Sequence, residues 1–324
     1  MRRLPLFAGL LAAGLLAAAC GDDATDEAAA SATTQPAVVA DEPVEDTDEA
    51  ATPDEAPADE QPARDAPSTI ISLSPTATEM LYAIGAGDQV LAVDDFSNYP
   101  PEAAAKMQGL SGFEPNVEAI AGLEPDLVVT DGTNPDLLGQ LDTLGIDRWE
   151  GPAASTFDDV YDQIEQLGAA TGRADEAAEL VGQMQSEVDA VIAGLPALDE
   201  PLTYYHELDS TFFTVSSETF IGAVYDEMGL VNIVDLSGED LGFYPQLSAE
   251  FVIDSNPDLI FLACTKYCGE TADTVAERPG WDAIDALANG GVIEMDDDIA
   301  SRWGPRIVDY LQAAGDAVGV VAEG

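Results

Sequence analysis

Glu118 and Glu250 stand 132 residues apart in matching surroundings. Asn116-Val117-Glu118 opens a run that ends in Pro125-Asp126-Leu127-Val128-Val129. Ser248-Ala249-Glu250 opens a run of the same length that ends in Pro257-Asp258-Leu259-Ile260-Phe261. Each reads as a helix N-cap, a glutamate in the first turn, two apolar turns, a Pro-Asp break and a buried strand. The run-ins match as well, Gly112-Phe113-Glu114-Pro115 before the first and Gly242-Phe243-Tyr244-Pro245 before the second. A glutamate there favours its helix dipole by about 0.3–1 kcal/mol, and it is also a carboxylate open to a partner. Two lobes on one plan, each with a carboxylate and an aromatic loop, imply a cleft between halves. That is the architecture of a binding protein.

Other chemistry is scarce. The single histidine, His206, lies in Tyr204-Tyr205-His206-Glu207 at the end of an expected strand. One histidine cannot build a histidine-rich metal site, and any Ser-His-Asp or Cys-His site would have to rest on it alone. Axial ligation of haem iron or corrin cobalt is one reading, and a hydrogen-bonded strand-end histidine is the favoured one. Gly85-Ala86-Gly87 follows a helix and lacks the third glycine of a dinucleotide loop, and no phosphate-cradling Gly-Lys-Ser/Thr loop or Gly-x-Ser-x-Gly elbow occurs. Cys264 and Cys268 suit a disulfide closing a tight loop in an oxidising compartment. The acidic runs Asp94-Asp95 and Asp296-Asp297-Asp298 read as solvated surface before they read as catalytic pairs.

The chain holds 63 Asp plus Glu against 10 Lys plus Arg, a net charge of −53. That excludes nucleic acids and anionic membranes as charge-driven partners. Residues 21–67 carry 15 of the acids beside one base, Arg64, so most of the excess belongs to the folded body. A surface this acidic suits a salty medium, where screening relieves self-repulsion.

Arg2 and Arg3 precede an apolar stretch from Leu4 to Ala19, too short to span a bilayer comfortably, that closes in small residues and Cys20. This is a secretory signal over 1–19. It resembles a bacterial lipoprotein signal whose Cys20 becomes the lipidated first residue, with Ala17 in place of the usual large aliphatic residue. Residues 20–67, mostly Ala, Asp, Glu, Pro and Thr, form a disordered acidic tether. A flexible chain of that length spans about 40 Å.

The remaining chain alternates strand and helix. Strands are predicted at 69–73, 90–93, 127–130, 147–149, 202–206, 231–234, 258–263 and 291–295. Helices are predicted at 76–84, 134–144, 157–169, 219–229, 249–255 and 304–321. Such alternation means α/β lobes with parallel sheets. Between them the stripe Leu180, Val181, Met184, Val188, Val191, Ile192 and Leu195 predicts one long helix, stopped by Pro196. The expected organisation is an N-terminal lobe at 68–172, a connecting helix at 173–196 and a C-terminal lobe at 197–324. A single connecting helix allows less hinge motion than crossing strands would.

Leu73-Ser74-Pro75-Thr76-Ala77-Thr78-Glu79, Ser97-Asn98-Tyr99-Pro100-Pro101 and Asn116-Val117-Glu118 with Pro125-Asp126-Leu127-Val128 resemble the cobalamin and ferric-siderophore class of ABC-importer solute-binding proteins. Within that class the motifs are most similar to the vitamin B12 binders. The resemblance runs from about Ser68 to about Val321. It implies two Rossmann-like α/β lobes joined by one helix, a ligand cleft between them, no catalysis and no resident cofactor. It implies that Glu118 and Glu250 dock onto the two subunits of an ABC permease served by ATPase subunits, and that the protein acts as a lipid-anchored extracytoplasmic monomer.

The same resemblance places ligand-facing aromatics at Tyr99, Phe113 and Phe243 or Tyr244, and a second-lobe ligand loop at 298–306 with Asp298, Arg302, Pro305 and Arg306 in register. The sequence departs from the class at Ile299, at Trp303 and in the Phe243-Tyr244 pair, which leaves the ligand open. Anionic ferric siderophores call for basic clefts, whereas a near-neutral corrinoid suits an acidic protein. Corrinoid therefore leads, then ferric siderophore, then haem. The rival from another class is a hydrolase on a two-lobed α/β scaffold, and a cell-wall adhesin is a third reading.

Overall fold

Leu127-Val128-Val129-Thr130 and Leu259-Ile260-Phe261-Leu262 are unbroken apolar or β-branched runs, and every residue in both is buried. Runs of that kind belong at the centre of parallel sheets covered on both faces. The computed structural model describes residues 66–323 and puts each run in such a place. The predicted signal, Cys20 and nearly all of the predicted tether lie outside the described residues. The described residues fall within one compact unit.

The first half runs β1 (Ile70–Ser72), α1 (Pro75–Ala83), β2 (Val90–Asp94), α2 (Pro101–Ala104), β3 (Met107–Leu110), α3 (Val117–Ala121), β4 (Leu127–Thr130), α4 (Pro135–Leu144), β5 (Asp147–Glu150) and α5 (Phe157–Thr171). Its five strands form a parallel sheet in the order β3-β2-β1-β4-β5. Helix α6 (Ala174–Gly194) follows. The second half runs β6 (Thr203–Glu207), α7 (Phe220–Glu227), β7 (Val231–Asn232), α8 (Ala249–Ser255), β8 (Leu259–Leu262), α9 (Ala272–Ala276), α10 (Asp285–Asn289), β9 (Val292–Glu294), α11 (Asp297–Ala300) and α12 (Ile307–Glu323). Its sheet, again parallel, has the order β7-β6-β8-β9. In each sheet the strand order reverses beside the first strand, so the crevice at the carboxyl ends lies between β1 and β4 and between β6 and β8.

The repeated motif has the same structure in both lobes. Asn116 caps α3 by accepting from the Ala119 amide at 3.0 Å, and Ser248 caps α8 by accepting from the Phe251 amide at 3.1 Å. Glu124 and Asn256, each just before the motif proline, adopt left-handed backbone. The Pro-Asp aspartate then clamps the neighbouring strand. Asp126 accepts from the amide and hydroxyl of Thr69 at 3.0 and 2.9 Å, and Asp258 does the same with Thr203 at 2.7 and 2.8 Å. Each threonine hydroxyl in turn accepts the aspartate's own amide. The carboxylates thus satisfy amides at the amino end of each sheet that the ladder leaves free.

Helix α6 is about 32 Å long. It ends at Gly194 because Leu195 is pushed to extended backbone before Pro196. It packs on α5 of the first lobe and on α12 of the second. Val181 and Met184 are buried, with Leu180, Val188, Val191, Ile192 and Leu195 packed around them, and the largest apolar cluster continues through both lobes. Pattern reading missed β3, an edge strand with one buried residue, and the short helices α2, α9, α10 and α11. The final helix starts at Ile307, after Pro305, and the strand expected at 231–234 is two residues long.

Candidate functional site

The carboxyl ends of β2 and β3 carry the first lobe's exposed aromatics. Asp94 is buried at the end of β2 and accepts from the Phe96 amide at 3.2 Å, which turns the chain outward. Burial raises its carboxyl above the usual range, against the hydrogen bonds that lower it. Phe96 and Tyr99 follow, both exposed. Phe113 follows β3 and is 78% exposed, in edge-to-face contact with Phe96 at 5.6 Å. Gly112 makes that loop feasible, since a Cβ there would fall 2.4 Å from the Leu73 carbonyl oxygen.

The second lobe matches this. Gly242 takes a left-handed φ of 77° that turns the chain into Phe243 and Tyr244, both exposed. Their loop is tied down where the Thr214 amide donates to the Pro245 carbonyl and the Ser216 amide to the Phe243 carbonyl, both at 2.9 Å. Tyr244 also borders a small cavity of about 70 Å³ with Ala154, Phe220 and Trp303. The sequence-predicted aromatics Tyr99, Phe113, Phe243 and Tyr244 are therefore all open rings on loops at the carboxyl ends of parallel strands.

The polar residues of the 298–306 loop have other surroundings. Arg302 is buried, and one of its terminal nitrogens donates to Glu79 at 2.8 Å and Asn98 at 2.9 Å. The other donates to the Phe96 carbonyl and to Asp298, both at 3.0 Å. Arg306 donates twice to Glu79, and its guanidinium lies 4.0 Å from the centroid of Tyr99. Asp298 also accepts from Asn98 at 2.9 Å and Lys266 at 2.7 Å. Burial raises its carboxyl, but the bonds from Lys266 and Asn98 and the Arg302 charge outweigh that and leave it below the usual range. Trp303 donates its indole N–H to Gln163 of the first lobe at 3.2 Å. Asp298, Arg302 and Trp303 thus join the lobes, with Arg302 shared between Glu79 and Asp298 and Arg306 paired with Glu79.

The rest of the basic inventory is spent too. Lys106 donates to the carbonyls of Gly87 and Val90, Arg148 pairs with Asp142 and Glu150, Arg173 with Glu176, and Arg278 with Glu207 and Glu270. All seven Lys and Arg among the described residues are engaged within the chain. His206 is fully buried, its Nδ1 2.9 Å from the Tyr225 hydroxyl, and burial pulls its pKa down to about 3. A ring so enclosed is a core residue, which rules out the axial-ligand reading.

Glu118 and Glu250 are exposed at the second position of α3 and α8, and neither makes an ion pair among the described residues. Cys264 and Cys268 are joined as a disulfide. Sequence reading assigned no role to Glu79, although a charge at a buried position beside Met80 and Leu81 was its signal. It missed Phe96, Asn98, Lys266 and Tyr267 as well.

This fold of two parallel sheets defines a class. A family model described as periplasmic binding protein matches residues 70–299, and the chain belongs to that family. It is 28% identical over 260 residues to YvrC, an uncharacterized ABC transporter substrate-binding lipoprotein of Bacillus subtilis, covering 78% of this chain and 80% of the relative. It is 29% identical over 259 residues to a cobalamin-binding protein of Halobacterium salinarum, covering 78% and 69%. The vitamin B12 binding protein BtuF of Vibrio cholerae superposes with a TM-score of 0.66 at 27% identity, covering 80% of this chain and 99% of that one.

Proposed function

We propose that this protein captures a corrinoid outside the cytoplasm and hands it to the permease of an ABC importer. The observation that carries the reading is the pairing of open aromatic rings on both lobes with a set of described bases that are all engaged within the chain. Rigid aromatic faces favour a large, flat, near-neutral macrocycle. An anionic siderophore or the carboxylates of haem would have to break existing ion pairs to find a positive partner. Relatives named for cobalamin and vitamin B12 binding support the same choice.

In this reading Tyr99, Phe113, Phe243 and Tyr244 touch the ligand, while Asp298, Arg302 and Trp303 set the spacing of the lobes that carry those rings. Glu118 and Glu250, one exposed carboxylate per lobe, dock onto the two permease subunits. Cys20 carries the lipid, and no described helix is long and apolar enough to cross a membrane. The protein works as a monomer and carries out no reaction of its own.

A melting-temperature panel tests the choice of ligand. Cyanocobalamin at about 100 times its Kd should stabilise the native state by about 2.7 kcal/mol. A ferric hydroxamate and haemin should leave the melting temperature unchanged. Stabilisation by either of those, without cyanocobalamin, would reassign the ligand.

A further inference from the structure

Residues 264–268 form a five-residue strap at the carboxyl end of β8, closed by the Cys264–Cys268 disulfide. Its backbone is held from below by one carboxylate. Asp297 accepts from the amides of Thr265, Lys266 and Tyr267 at 2.7 to 3.1 Å, and the Thr265 hydroxyl has both Asp297 and the Met295 carbonyl within hydrogen-bond distance. The hydroxyl of Tyr267 donates to Asp298 at 3.2 Å, and the Lys266 ammonium lies 5.0 Å from the Tyr267 ring centroid. Asp298 is also the acceptor for Asn98, which directly precedes Tyr99. One carboxylate therefore ties the strap to the aromatic loop of the other lobe. With backbone, hydroxyl and disulfide all fixed, the Tyr267 ring is still 63% exposed.

We infer that Tyr267 is a further ligand-contacting residue, a ring held at the cleft by the disulfide strap to stack on a corrinoid. The inference rests on the corrinoid reading above. A ring ordered in advance loses little freedom on binding, so its contact area converts to affinity more fully than that of a mobile side chain.

Calorimetric titration of the full chain with cyanocobalamin tests it. Tyr267→Ala should weaken binding about tenfold, a contact worth about 1.4 kcal/mol. Tyr267→Phe, which keeps the ring and loses the hydroxyl, should stay within about threefold of the native chain. The double change Cys264→Ser/Cys268→Ser should weaken binding less than Tyr267→Ala does, and the loss should vanish in the Tyr267→Ala background, as expected of groups acting through one contact. Nitration of the unaltered protein by tetranitromethane, mapped by peptide, gives a readout independent of any variant: Tyr267 should react freely and be protected by cyanocobalamin. Native binding with Tyr267→Ala unchanged, or with Tyr267 unprotected, overturns the inference alone. No native binding of cyanocobalamin overturns the corrinoid reading and the inference together.

Discussion

Asp126 shows how one side chain sets a local structure. Hydrogen bonds from Ser68 and Thr69 hold its carboxyl down to about 2, below the ordinary 3.8. A depressed carboxyl contributes stability that is full above the unfolded value and is lost as pH falls through the folded one. Asp126→Asn should therefore lower the melting temperature at neutral pH and flatten its fall between pH 3.8 and about 2, as followed by circular dichroism. An unchanged acid limb would remove the clamp from the account. Glu79 works at the same scale with larger stakes. It is buried and receives both Arg302 and Arg306. Glu79→Gln leaves Arg306 without its carboxylate partner and Arg302 with Asp298 alone, and breaking a buried pair costs about 3–5 kcal/mol. Urea denaturation should show a loss of that order. A loss below about 1 kcal/mol would mean that the arginines find other partners.

At the scale of elements, the twin helices α3 and α8 carry the prediction about delivery. Glu118→Arg with Glu250→Arg should leave corrinoid affinity within about twofold, since both side chains are exposed and neither makes an ion pair among the described residues, and should cut permease-dependent uptake into vesicles tenfold or more, since a reversed charge at a docking contact repels its partner. Uptake that survives both reversals would assign these carboxylates to their helices alone. These helices were legible because the motif recurs with its caps, and strands β4 and β8 because every residue in them is apolar or β-branched. The long helix α6 was legible from its stripe. The edge strand β3 was not, because Met107-Gln108-Gly109-Leu110 takes its place from pairing with β2 and has no hydrophobic pattern of its own. Of the exposed rings, Phe113 and Phe243 were legible as loop residues from the glycine before each, whereas Tyr99 and Tyr244 were placed by resemblance alone. The polar half of the site was not legible: Asp298, Arg302 and Arg306 have their roles from Glu79 and Asn98, more than 190 residues away in sequence, and no local spacing encodes that meeting.

The whole molecule carries a net charge of −53, mostly on the folded body. With the bases spent on specific pairs, the surplus carboxylates repel one another, and salt relieves this as the Debye length falls from about 10 Å at 0.1 M to about 3 Å at 1 M. The melting temperature should rise by several degrees over that range, and a flat response would reject the view that the surface is adapted to salt. The same accounting separates the candidate ligands, because uncharged recognition is indifferent to screening and ion pairing is not. The deciding measurement is calorimetric titration of the full chain with cyanocobalamin at 0.1 M and 1 M salt. One-to-one binding with an affinity that changes less than about threefold between the two is the predicted result. Silence toward cyanocobalamin, with a ferric hydroxamate bound at low salt and released at high salt, would contradict it.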